Sequence, residues 1–414
     1  MGNETSSSSP LAMDGGSPVL PEPLKRDRRW GERELKRLTR MVEQESLFYW
    51  KNDQTEAMFS LFREHYPLKY LMPCNSCSSA LHIAVAALGV GPGDEVIIPA
   101  ITDMGCAIGI LFQQGVPVFV DIDPDTFNLD PADVEAKITK RTKAIIAVHL
   151  NGNPCDMDAL LEIAKKHEIV LIEDCAQAWG ALYQGRAVGT MGDLACYSFD
   201  DFKHLSSGDG GIVGTNRDDF GMKLQPFGDK GYNRMGGPRN PTILAANYRM
   251  SEPQAAVAAG QLEILEEIAA GRAQMGAYLD QALAGVPELI APKRDPRDRH
   301  SYWFYTIKLD LNRLTCDRDT FVKALVAENI AANDGSFPST TYQWAVFPNH
   351  AFFDGRWPLK EQGLTDMDYS KVVCPNAEKV IKEWFRLILF EGMDKAYLEK
   401  VVEALEKVVG HYSK

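Results

Sequence analysis

No run of about 18 apolar residues interrupts the sequence, which excludes an ordinary membrane-spanning helix. Nor is there a basic run. The 44 Lys and Arg face 57 Asp and Glu, and the net charge of −13 repels nucleic-acid backbones and anionic lipid. Metal-ligand spacing is equally sparse. Cys74 and Cys77 form a C-x-x-C, but no second pair and no nearby His pair completes a zinc site, so no metal is expected. The eight cysteines fall mostly in apolar segments, as small buried hydrophobes do, and reduced thiols in a cytoplasm are the expectation. The opening lacks the apolar stretch of a secretory signal. With its serine run (Ser6 to Ser9), prolines and glycines, it reads as a disordered tail over residues 1–24.

At 414 residues the chain exceeds what one hydrophobic core usually serves. A large domain over 25–250, with helices at its start, and a bridging helix plus small domain over 251–414 are expected. From about residue 70 to 215, short apolar runs alternate with helical spacing. The runs are Glu95-Val-Ile-Ile-Pro99, Pro117-Val-Phe-Val-Asp121, Lys143-Ala-Ile-Ile-Ala-Val-His149, Ile169-Val-Leu-Ile-Glu173, Ala195-Cys-Tyr-Ser-Phe199 and Gly211-Ile-Val-Gly214. They are continuous rather than alternating, which predicts strands covered on both faces. The pattern predicts an α/β fold with a mainly parallel sheet between helices. The second domain has a strand-like Tyr302-Trp-Phe-Tyr-Thr-Ile-Lys-Leu309 and an amphipathic end, Tyr397 to Val409.

Ligands in open α/β sheets bind beyond the carboxyl ends of strands, so residues just after each run are the candidates. Asn75-Ser-Cys-Ser-Ser-Ala80 opens a helix, and its hydroxyls and free N–H groups suit a phosphate; an ordinary N-cap by Ser78 explains it equally well. Asp174 ends an apolar run and pairs either with a protonated ring nitrogen or with a structural cation. Lys203 follows the next run, where an amine can form a Schiff base with an aldehyde cofactor. Ser207-Gly-Asp-Gly-Gly211 then allows close backbone approach, as would a plain hairpin turn. Gly89-Val-Gly91-Pro-Gly93 imitates a dinucleotide loop, but a helix precedes it and a strand follows, the reverse of that fingerprint.

In order and spacing these segments resemble the DegT/DnrJ/EryC1/StrS family, fold-type I aminotransferases acting on keto-sugars and keto-cyclitols. The resemblance runs strongly from about Leu71 to Leu262. It rests on Gly93-Asp-Glu-Val-Ile-Ile-Pro99, Ala147-Val-His-Leu-Asn-Gly152, Glu173-Asp-Cys-Ala-Gln-Ala178, Gly185-Arg-Ala-Val-Gly189, Ser198 through Lys203 to Gly211, and Asn247-Tyr-Arg-Met250. It implies pyridoxal 5'-phosphate held by Lys203 as an internal aldimine, with Asp174 on the ring nitrogen and Gln177 at the phenolic oxygen. Ser78, Ser79 and Ser198 would bind the phosphate, helped by Asn247 and Arg249 from a second subunit of a homodimer with shared active sites. The implied reaction moves an amino group from L-glutamate or L-glutamine, through a pyridoxamine form, to a ketone on a nucleotide-linked sugar or cyclitol.

The chain departs from the family where Asp103 replaces an aromatic that stacks on the ring, where Cys77 replaces a glycine and where Asp209 replaces a glutamate. Asp103 becomes a candidate substrate contact. Tyr342 and His350, in the aromatic stretch Ser336 to Phe353, are further candidates, with plain packing as the equal alternative. Elimination or lyase chemistry on the same scaffold is a second reading, since fold does not fix reaction. A non-catalytic sensor is a third, disfavoured by the acidic charge and by the presence of Lys203.

Overall fold

Strands that are apolar on both faces must be covered on both faces, and the seven main strands are. The computed structural model describes residues 10–236, 240–335 and 337–414. The large sheet comprises β1 (Tyr70–Cys74), β2 (Glu95–Pro99), β3 (Val116–Val120), β4 (Thr142–Val148) and β5 (Val170–Asp174). After a two-stranded hairpin of β6 (Leu182–Tyr183) and β7 (Arg186–Ala187), it is completed by β8 (Leu194–Ser198) and β9 (Gly211–Thr215). The order is β1-β9-β8-β5-β4-β2-β3, with β9 antiparallel to both its neighbours and the other pairs parallel. The expected runs fall within one residue of these strands; β1 and the hairpin are additions.

Alternation along each strand sorts its side chains between two cores. Val96, Ile98, Ile146, Ile172 and Cys196 meet the helices Cys77–Leu88 and Gly105–Phe112 on one face. Ile97, Ile145, Leu171 and Tyr197 meet Asp53–His65, Met157–His167 and Glu252–Leu262 on the other. The helix Cys77–Leu88 begins where β1 ends, capped by Ser76, whose hydroxyl accepts from Ser79 N at 3.1 Å, and it stops at Gly89 with φ 83°. Glycine is required at Gly211, because a Cβ there would sit 2.6 Å from Ser76 O.

A second, antiparallel sheet runs β10 (Leu289–Ile290), β11 (Tyr305–Leu309), β13 (Trp384–Leu387), β12 (Ala332–Asn333). The helices Arg318–Ala327 and Lys395–Tyr412 cover it. The cores do not divide at residue 250. Glu252–Leu262 packs with the large sheet, while Leu265–Leu283 reaches the small sheet's core. The segment from Tyr342 to Ile381 also lies in the large sheet's core.

The tail expected over residues 1–24 needs correction from Pro10 onward; residues 1–9 lie outside the described residues. Leu11 is fully buried against the small sheet's core. The buried Glu328 carboxylate accepts from Ala12 N and Val19 N, both at 2.9 Å. One apolar side chain and two satisfied N–H groups offset the ordering of a segment whose composition alone gives no such sign. Among the described residues no helix is long and apolar enough to cross a membrane.

Candidate active site

A cavity of about 750 Å³ opens where the carboxyl ends of β2, β5 and β8 face the small sheet. Pleating decides what enters it. Glu173 and Asp174 are adjacent on β5 and point to opposite faces. Glu173 takes N–H donors from Gly189, Met191 and Gly192 at 2.5–2.8 Å and lies 3.2 Å from His149 Nε2. Burial pushes its pKa up, but these partners hold it below the usual carboxylate range. His149, Glu173 and Cys175 bring three possible ligand atoms within 4.8 Å, yet the carboxylate is already committed to hydrogen bonds.

Asp174 faces the cavity. It is buried, its Oδ1 accepts from Ala176 N at 3.0 Å, and its Oδ2 accepts from the Cys106 thiol at 3.2 Å. Among the described residues no cation forms an ion pair with it. Burial raises its pKa against the pull of Ala176, Cys106 and the Lys203 charge. Burial and the Asp174 charge push the Cys106 thiol far up, so it stays protonated as a donor. Lys203 lines the same cavity from the loop after β8, with Nζ 3.6 Å from the centroid of the Trp303 ring. Burial lowers its pKa, opposed by Asp200 and then Asp174, which increases the free-amine fraction at neutral pH.

Ser78, Gln177, Ser198 and Asp103 line this cavity too. Gln177 is anchored through Oε1, which accepts from Asn151 N at 2.8 Å and leaves its N–H groups to donate elsewhere. Ser198 is held by its carbonyl, which accepts from Trp179 Nε1 at 2.7 Å. Asp103 Oδ1 accepts from Gly105 N at 2.8 Å, and a Cβ at Gly105 would crowd Ser78 Oγ at 2.9 Å.

Other candidates lie elsewhere. Ser79 turns its hydroxyl to Asn75 Oδ1 at 2.6 Å, within the helix cap and away from the cavity lining. Asn247 is exposed, and Arg249 pairs with Asp229 at 2.7 Å; neither lines this chain's cavity. Tyr342 and His350 are corrected as substrate contacts. Tyr342 is buried against Phe119 and donates to Glu378 Oε1 at 2.5 Å. His350 packs against Trp357 and Tyr369, and its Nε2 accepts from Tyr369 N at 3.3 Å. Aromatic side chains with polar tips bury readily when the tip finds a partner.

Trp303, Phe304 and Arg386, in or beside the small sheet, line the cavity with no sequence signal that marks them, and Phe337 lines it from within the aromatic stretch Ser336 to Phe353. Trp303 and Phe304 stand at the start of a recognised strand run. Trp384-Phe-Arg-Leu387 is too short to signal a strand by itself.

The chemistry of this donor set fits pyridoxal 5'-phosphate. It offers an amine for an aldehyde, a buried carboxylate for a ring N–H, and hydroxyls at a helix start for a phosphate. The sequence profile of the DegT/DnrJ/EryC1/StrS aminotransferase family matches residues 29–406. The chain belongs to this family. It is 41% identical to GDP-perosamine synthase of Caulobacter vibrioides, over 76% of this chain and 86% of that one. It is 34% identical to a putative L-glutamine:3-amino-2,3-dideoxy-scyllo-inosose aminotransferase of Streptoalloteichus tenebrarius, over 97% and 98%. The aminotransferase TlmJ from Streptoalloteichus hindustanus superimposes with a TM-score of 0.80 at 25% identity, over 94% of this chain and 99% of that one. As a member of the DegT/DnrJ/EryC1/StrS family, this chain is an aminotransferase of a pyridoxal-phosphate-dependent, sugar- and cyclitol-modifying group.

Proposed function

We propose that the protein transfers an amino group from L-glutamate or L-glutamine to a ketone on a nucleotide-linked sugar or a cyclitol. The reading rests on one observation above all: a buried carboxylate without an ion-pair partner and a lysine with lowered pKa line one cavity. Pyridoxal 5'-phosphate supplies an electron-poor ring that takes up the charge left when a C–H proton departs. Lys203 holds the cofactor's aldehyde carbon and, once displaced by substrate amine, moves the proton. Asp174 keeps the ring nitrogen protonated, with the Cys106 thiol and Ala176 N fixing its orientation. Gln177 donates to the phenolic oxygen, and Ser78 and Ser198 hold the phosphate. Asp103 contacts substrate at the cavity wall. Asn247 and Arg249, lying outside this chain's own cavity, complete the site of a second subunit in a homodimer.

The test begins with absorbance. The purified protein carries the yellow colour of bound cofactor, and L-glutamate or L-glutamine bleaches it to the pyridoxamine form. Lys203→Ala loses the colour while its circular dichroism stays that of the wild type. A coloured, active Lys203→Ala variant overturns the assignment, and a cofactor that amino donors leave unchanged points to elimination chemistry instead.

A further inference from the structure

A second cavity, of about 630 Å³, lies between the N-terminal segment 26–33, the helix Leu265–Leu283 and the start of the helix Lys395–Tyr412. None of the residues assigned to the cofactor lines it. Its wall runs against the charge of the whole chain, which is −13. Arg26, Arg28, Arg29, Arg33, Arg272 and Lys395 line it, against the carboxylates of Asp27, Glu267 and Glu391.

The fold leaves this excess only partly neutralised. Glu391 serves two guanidiniums at once, Arg272 at 2.9 Å and Arg26 at 3.7 Å. Arg29 commits its terminal N–H groups to neutral acceptors, the carbonyls of Asp201, Lys203 and His204, and its Nε is buried without a hydrogen-bond partner. Burial and then the Arg26 charge push its pKa down to about 10; Arg272 adds to the repulsion and Glu391 opposes it. Guanidiniums that repel one another across a partly desolvated pocket are stabilised by an added anion. The planar arginine fork matches phosphate oxygens in geometry as well as in charge. The volume exceeds what one phosphate fills, and Met275, Tyr278 and Met393 supply an apolar wall for an attached body.

We propose that this cavity binds a phosphate-bearing small molecule, and that its occupation stiffens the loop carrying Lys203. The link is Arg29, which borders the pocket and holds the carbonyls of residues 201, 203 and 204. An anion held by Arg26 and Arg29 restrains this clamp, so the loop opens only after the anion leaves. The site goes beyond the aminotransfer reading and does not depend on it.

The test uses the holoenzyme, whose cofactor-phosphate site is filled, at constant ionic strength. Pyrophosphate and uridine diphosphate are titrated, with sodium chloride as control, while amide exchange across 201–206 is followed. At about ten times the dissociation constant of pyrophosphate, exchange slows by about tenfold, as expected when opening requires ligand release. The double variant Arg28→Gln, Arg33→Gln changes residues that line this cavity and not the catalytic one. It exchanges like wild type without ligand, and it binds both diphosphates at least about tenfold more weakly. Responses no larger than that to chloride, or undiminished pyrophosphate binding in the double variant, overturn the proposal. So does protection by uridine diphosphate that the double variant retains, because that places the anion in the catalytic cavity. The two readings fail separately: if amino donors leave the cofactor unbleached but pyrophosphate still protects the loop through these arginines, aminotransfer fails and the anion site stands.

Discussion

Asp174 is held above the ordinary carboxylate range by burial. A carboxyl whose folded pKa exceeds its unfolded value binds more protons when folded. Its share of stability is therefore present at low pH and is lost as pH rises from the ordinary value of 3.8 through the raised one. In the cofactor-free protein, Asp174→Asn removes that loss. Its stability–pH curve is flatter across this window than the wild type's, and it is at least as stable at neutral pH. The same substitution weakens cofactor retention by at least about tenfold, because the ring nitrogen loses its counter-charge. Denaturant melts across pH and dialysis against free cofactor measure the two effects; undiminished cofactor retention would sink the role given to Asp174. That Asp174 and Lys203 line one cavity was legible because strand ends aim at it. Tyr342 and His350 were not, because residue type does not say which way a side chain turns.

At the scale of elements, the strands were legible because continuous apolar runs leave few alternatives, and the helix start at Asn75-Ser-Cys-Ser-Ser-Ala80 because its hydroxyls mark a cap. The capping residue was not: Ser76 rather than Ser78 does the work, which frees Ser78 for the cavity. The loop carrying Lys203 depends on a segment far away in sequence. Arg29 donates to the carbonyls of Asp201, Lys203 and His204, and Trp30 Nε1 donates to Ser206 O at 3.2 Å. No local pattern announces such a clamp, since its acceptors are backbone groups. Arg29→Ala frees this loop without opening either core. Amide exchange across 201–206 accelerates by about tenfold, corresponding to about 1.4 kcal/mol of local opening free energy. Cofactor capture slows while the global melting temperature moves little. Exchange rates like those of the wild type would show that the clamp does not position the lysine.

At the scale of the whole molecule, the N-terminal segment joins the small sheet to the catalytic loop. It is pinned at Glu328, passes Arg26, which faces Glu391 at 3.7 Å, and reaches the loop at Arg29. Glu328 is fully buried, and Lys407 Nζ reaches both its carboxylate and Ser17 O, at 2.9 and 3.0 Å. Burial pushes the Glu328 pKa up, yet Ala12 N, Lys407 and Val19 N hold it below the ordinary value of 4.5. With the folded pKa depressed, the stabilisation is present above the unfolded value and fades as pH falls through the carboxylate range. Glu328→Ala therefore costs roughly 3 kcal/mol at neutral pH, the scale for removing one partner of a buried pair. The gap between wild type and variant narrows on acidification, because protonated Glu328 no longer pairs with Lys407. Loss of the pin also exposes residues 10–25 to protease before either sheet unfolds, and cofactor capture slows as it does in Arg29→Ala. A stability gap that stays constant with pH, or a segment that resists cleavage in the variant, would mean that the anchoring lies in Leu11 and the apolar contacts alone.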